Sequence, residues 1–168
     1  MINEETRAFI AAHASDDVRR LALNAKVAEG VDLRAALVQI EGAQRLKYKA
    51  PRFAATAGVE FPERISLEQC SSEATAAYKA DIIRRAVAAR GCMADLTGGL
   101  GVDFMAMSPC FEKAIYVERN EELCALARNN FPAMGLGGFS VVCAEAEEFL
   151  SSMKPVDFMF LDPARRSN

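Results

Sequence analysis

The chain has 168 residues, 51% hydrophobic and 26% charged, with twenty Lys plus Arg against twenty-three Asp plus Glu for a net charge of −3. These are the proportions of one ordinary globular domain or two small ones, and they exclude disorder, collagen and coiled coil. No apolar run approaches the ~20 residues of a membrane-spanning helix, and the start, Met1-Ile2-Asn3-Glu4-Glu5, lacks the pattern of a secretory signal. Cys70, Cys92, Cys110, Cys124 and Cys143 are odd in number and form no CxxC pair. They predict free thiols, a reducing cytoplasmic setting and no metal site. His13 is the only histidine and falls near the end of a predicted surface helix, so a Ser-His-Asp triad is not expected.

Residues 1–90 hold fourteen basic and twelve acidic side chains, and residues 91–168 hold six and eleven; seven of the ten glycines lie at or after Gly91. The first half predicts helices. Asn3 and Ser15 stand as N-caps ahead of acidic first turns. Asp32 caps a helix to about Leu46, with Leu33, Leu37, Ile40 and Gln44 on one side. Pro51 and Pro62 mark an irregular connector. Ser66 and Gln69 have capping-box spacing, and a longer helix follows over 72–89.

The second half alternates, with strands predicted over 92–96, 113–117, 139–143 and 156–161 and helices between them. That pattern gives an α/β fold with a parallel sheet, whose ligands bind at the carboxyl ends of the strands. Each strand end carries chemistry-bearing residues. The first opens into Asp95-Leu96-Thr97-Gly98-Gly99-Leu100-Gly101, a turn with three positions free of a Cβ where a ligand can approach the backbone. GxxxxGK[ST] is absent, and Phe104 stands where a dinucleotide fingerprint needs Gly or Ala. The second ends in Glu118, an acid able to take both hydroxyls of a ribose or to begin a helix. The third ends in Glu145, an acceptor for an adenine amino group or again a helix-start acid. The fourth ends in Asp162-Pro163-Ala164-Arg165, where proline turns the chain sharply.

An acid, three residues and Gly-x-Gly resembles motif I of the class I S-adenosylmethionine (SAM) methyltransferases. Asp162-Pro163-Ala164-Arg165 resembles their motif IV, in the Asp-Pro-Pro-Arg form of several RNA methyltransferases, with Ala164 in place of the second proline. Residues 67–75, from Leu67 to Thr75, are similar to motif X. The resemblance covers about 66–166, and the whole arrangement resembles bacterial THUMP-like RNA methyltransferases with a helical N-terminal extension. It implies a SAM cofactor held by Asp95, Thr97, Gly99, Gly101, Glu118, Glu145, Gln69 and Thr75, and catalysis by Asp162, Pro163 and Arg165. Asp162 would hydrogen-bond the target nitrogen, with Arg165 on an RNA phosphate or orienting Asp162.

The expected organisation is a helical N-terminal part and connector over 1–65, then a partial Rossmann-like methyltransferase domain over 66–168 with parallel strand order 3-2-1-4. The family's sheet continues past four strands. A piece of a longer protein is therefore expected, inactive alone and self-associating through the 156–161 edge, whose apolar residues suit a buried strand. The basic run Arg45-Leu46-Lys47-Tyr48-Lys49-Ala50-Pro51-Arg52-Phe53, with two aromatics interleaved, suits RNA, or more simply a solvated helix end. An NAD(P)-type nucleotide-binding module and a non-catalytic interaction domain stand as alternatives.

Overall fold

The computed structural model describes residues 2–163, apart from the side chains of 64–66. Helix α1 (Glu4–Ala12) begins where Asn3 accepts the Thr6 N–H, and α3 (Leu33–Leu46) where Asp32 accepts the Ala35 N–H, both at the caps expected from sequence. Helix α2 (Val18–Asn24) is capped by Asp17, not Ser15. The carboxylate of Asp17 accepts the Arg20 N–H and gains from the helix dipole, which a hydroxyl does not.

Pro51 opens a short helix, α4 (Pro51–Ala55), instead of a connector. Its fixed φ suits a first helical position, where a missing N–H costs nothing. Helix α5 (Arg64–Gln69) starts after Glu63, two residues before the expected capping box. Helix α6 (Glu73–Ala86) is capped by Ser72, which accepts the Thr75 N–H.

Then follow β1 (Cys92–Asp95), α7 (Val102–Met107), a 3-10 turn (Ser108–Cys110), β2 (Lys113–Glu118), α8 (Glu121–Ala133), β3 (Phe139–Cys143), α9 (Ala146–Ser152) and β4 (Phe158–Phe160). The four strands form one sheet, parallel as the alternation of strands and helices predicts and in the order β3-β2-β1-β4 that the methyltransferase resemblance implies. Asp95 lies in register with Tyr116 on one side and Phe160 on the other. Strand β4 is three residues long, not six. Asp157 precedes it as a clamp, its carboxylate accepting the Cys92 N–H at 2.9 Å.

Residues of α6, α7 and α8 cover one face of the sheet around Met93 and Tyr116. There the rings of Phe104, Tyr116 and Phe131 pack with centroids 5.1–5.5 Å apart in stacked and edge-on pairs, geometries that aromatic quadrupoles favour. Phe149 and Met153 cover Ala94, Leu96 and Val117 on the other face. A further cluster joins Leu46, Phe53, Phe61 and Leu67 to Leu100, Val102 and Met134, so the N-terminal helices share apolar contacts with α7 and the end of α8. Buried Asn130 reinforces that seam. Its amide accepts the Glu60 N–H and donates to the Glu60 carbonyl.

The basic run is spent largely inside the fold. Arg45 pairs with Glu41 and Glu68; the Lys49 ammonium donates to the Leu67 and Glu68 carbonyls at the end of α5; Arg52 donates to the Met134 carbonyl at the end of α8. Cations at helix C-termini satisfy carbonyls the helix leaves open. Among the described residues no helix is long and apolar enough to cross a membrane.

Candidate functional site

The carboxyl edge of the sheet is organised around the turn after β1. On the β2 side, the Gly98 N–H donates to the Val117 carbonyl, the Gly99 N–H to Glu118 Oε2 at 2.9 Å, and the Tyr116 hydroxyl to the Gly99 carbonyl. On the β4 side, the Leu96 N–H donates to the Phe160 carbonyl, and the Asp162 N–H to Thr97 Oγ1 at 2.7 Å. The turn is therefore laced to both neighbouring strands.

The three glycines of the turn serve different ends. A Cβ on Gly98 would overlap the Tyr116 ring, and one on Gly101 would lie 2.5 Å from the Phe131 ring. Those two are required by packing, whatever a ligand does at the turn. Gly99, at φ +54°, has only the Thr97 carbonyl within 4 Å of such a Cβ. It is the one glycine of the turn whose Cβ direction is open.

Asp95 is 1% exposed. Burial pushes its carboxyl up to about 7, against the Thr97 N–H, which donates to Oδ1 at 3.0 Å and favours the ionised form. Burial, with Glu118 nearby, likewise raises the Tyr116 phenol, which stays neutral and donates. Both oxygens of Glu118 accept backbone N–H groups, Oε2 from Gly99 and Oε1 from Asn120, each at 2.9 Å. A carboxylate has about four lone-pair sites, so both oxygens keep capacity for a further donor. Glu145 precedes α9 without capping it and lies 3.8 Å from Arg119, both side chains exposed.

The structure thus brings Asp95, Thr97, Gly99, Gly101, Glu118 and Asp162 together, with Glu145 beside them across the Ala144 N–H to Glu118 carbonyl bond. Pro163 follows Asp162, exposed. Ala164 and Arg165 lie outside the described residues. Gln69 is exposed at the end of α5, and the Thr75 hydroxyl is paired with Ser72 Oγ at 2.8 Å, inside the cap of α6.

Ser71, just before α6, and Lys79, within it, also reach the edge; the sequence reading gave neither of them a role in the site. The Lys79 ammonium donates to Asp103 Oδ2 at 2.8 Å and Ser71 Oγ at 3.2 Å. It also lies 3.5 Å from Asp162 Oδ2 and 4.8 Å from the Phe160 ring centroid. Ser71 Oγ donates to the same Asp103 oxygen, while Asp103 Oδ1 is buried without a hydrogen-bond partner. The available signal was Lys79 itself, a cation on the face that carries Ala76, Ala80 and Ile83. No group of three or more His, Cys, Asp or Glu side chains among the described residues is placed to hold a metal.

No protein-family model and no curated protein matches the chain. Among solved structures, it is similar to a candidate methyltransferase from Porphyromonas gingivalis W83. The two share 30% identity and a TM-score of 0.69 over 90% of this chain and 38% of that one. An rRNA methylase from Streptococcus thermophilus aligns at 14% identity and a TM-score of 0.41, over 47% of this chain and 48% of that one. The chain thus spans 38% of the length of the first of these proteins. Its four-stranded parallel sheet, in the order 3-2-1-4 with flanking helices, is a Rossmann-like methyltransferase fold.

Proposed function

We propose that the chain forms the cofactor-binding part of a SAM-dependent methyltransferase acting on a base of RNA. The observation that carries this reading is the double lacing of one turn: Gly99 to Glu118 on the cofactor side, Thr97 to Asp162 on the acceptor side. Residues at this edge fit an adenosyl group with an amino-acid tail. Gly99 leaves open backbone, Glu118 keeps two acceptor oxygens for vicinal hydroxyls, and Asp103 Oδ1 is a buried acceptor still lacking a donor.

SAM, when bound, supplies an electrophilic methyl carbon on a sulfonium. The chain's residues then bind and orient. Glu118 holds the ribose, Glu145 accepts from the adenine amino group, and Asp162 accepts a hydrogen bond from the target nitrogen, aligning it for displacement. The motif IV resemblance gives Pro163 a place in the acceptor turn and Arg165 a role on an RNA phosphate or in orienting Asp162. RNA as acceptor is supported by the resemblance of Asp162-Pro163 and the residues after it to motif IV.

A cytoplasmic setting and self-association through the β4 edge belong to the same proposal. Met159 is 42% and Leu161 58% exposed there, apolar surface that another copy would bury. Sedimentation should show a dimer that Leu161→Lys dissociates; a strictly monomeric wild type at high concentration would remove the pairing. Equilibrium dialysis with labelled SAM tests the cofactor. Saturable binding that NAD does not displace is expected. Binding of NAD alone, or displacement of SAM by NAD, would overturn the assignment.

A further inference from the structure

We propose that Cys124 and Cys143 form a peroxide-responsive dithiol, with Cys143 the thiol oxidised first and Cys124 the one that closes the disulfide. The inference is independent of the SAM reading. Strand register brings the two residues together. Cys143 ends β3 and lies opposite Glu118 in the parallel ladder. Strand residues two apart share a face, so Cys143 follows Phe139 and Val141 onto the face where α8 and Cys124 pack. From α8, Cys124 Sγ lies 3.1 Å from the Glu118 carbonyl oxygen and 3.9 Å from that of Val142, the residue before Cys143. Cys143 Sγ lies 3.7 Å from the Arg119 carbonyl oxygen. Both sulfurs thus rest on the chain at 118–119, and the two thiols are in hydrogen-bond contact.

Exposure divides the work between them. Cys124 is fully buried, whereas Cys143 is exposed. Burial, and then the Cys143 thiol beside it, push the Cys124 thiol up to about 12. Cys124 therefore keeps its proton at neutral pH and meets no dissolved oxidant. Hydrogen peroxide reaches Cys143 instead. The Cys143 sulfur attacks one peroxide oxygen, the O–O bond breaks, an S–O bond forms, and the second oxygen leaves as water with the thiol proton. The Cys124 sulfur then attacks the sulfenic sulfur. An S–S bond forms, the S–O bond breaks, and the hydroxyl leaves as water with the Cys124 proton. Contact makes this second step intramolecular, which offsets the weak acidity of Cys124. Two thiols and one peroxide become one disulfide and two waters, and the start of α8 is tied to the end of β3.

Hydrogen peroxide added to the folded, reduced chain tests the proposal, with thiol titration, intact mass and peptide mapping as readouts. Wild type should lose about 2 Da as a monomer, and its free thiols should fall from five to three. A single cross-link, Cys124 to Cys143, should account for the loss, and dithiothreitol should reverse it. Cys124→Ser should leave Cys143 as a sulfenic acid that dimedone traps. Cys143→Ser should leave Cys124 a free thiol under the same treatment. Cys143 is exposed, so Cys143→Ser and the wild-type map still decide the matter if the buried Cys124→Ser does not fold. A wild type that keeps all five thiols free, or that forms the cross-link between two chains, overturns the proposal. So does Cys143 found as sulfinic acid with no cross-link, or oxidation of Cys124 in Cys143→Ser.

Discussion

Glu118 Oε2 accepts the N–H of Gly99 at 2.9 Å, joining the end of β2 to the turn that follows β1. The acid has this structural task before it has any task toward a ligand. Because its other oxygen is fixed by the Asn120 N–H, the plane and position of the carboxylate are set in advance. Two acceptors held at fixed spacing beside an open glycine are preorganised for two neighbouring hydroxyls.

The glycines of the turn should separate in stability measurements. Gly101→Ala meets the Phe131 ring and places a Cβ at φ +85°, so urea unfolding should show a loss of about 2–4 kcal/mol. Gly99→Ala has space around it and pays the left-handed backbone alone, about 1–2 kcal/mol. Equal losses at the two positions would contradict the packing account.

Much of this was legible in the sequence, for identifiable reasons. The parallel sheet and the edge that carries the candidate site followed from alternating elements, while the strand order came with the motif resemblance. Asn3 and Asp32 were readable as caps because their side chains act locally. Lys79 and Asp103 were not readable as a pair, because they meet only when α6 and α7 pack side by side. The reason for Gly98 was also hidden, since it depends on where the Tyr116 ring lies across the sheet. The partners of Lys49 and Arg52 in the basic run were hidden for the same reason, since the carbonyls at the ends of α5 and α8 are remote in sequence or become acceptors only once a helix ends there.

Asp95 should make stability depend on pH. Its carboxyl is raised by burial from 3.8 to about 7, so between those values the folded chain retains a proton that the unfolded chain has lost. Stability from this group is present below the lower value and falls as pH rises through the upper one. The slope corresponds to about 1.4 kcal/mol per unit of separation, on the order of 4 kcal/mol in total. Asp95→Asn keeps an acceptor for the Thr97 N–H and removes the charge. Urea unfolding at pH 5 and pH 8 should show the wild type losing stability relative to the variant. A difference that does not change with pH would contradict burial of an ionisable Asp95.

Asp162 should separate binding from turnover. Its backbone N–H, not its side chain, makes the bond to Thr97, so Asp162→Ala leaves that bond in place. In a polypeptide that transfers methyl groups, the variant should lose about 10²-fold or more in kcat with SAM affinity within about threefold of wild type. Parallel loss of affinity and turnover would make Asp162 a fold residue.

The central claim is that this edge binds SAM with Glu118 on the ribose, and calorimetric titration of SAM into wild type and Glu118→Ala tests it most directly. One site per chain is expected in the wild type, with affinity falling by roughly 1.5–3 kcal/mol in the variant, the scale of hydrogen bonds to a charged group. Affinity unchanged by Glu118→Ala, or a wild type that binds no SAM, would contradict it.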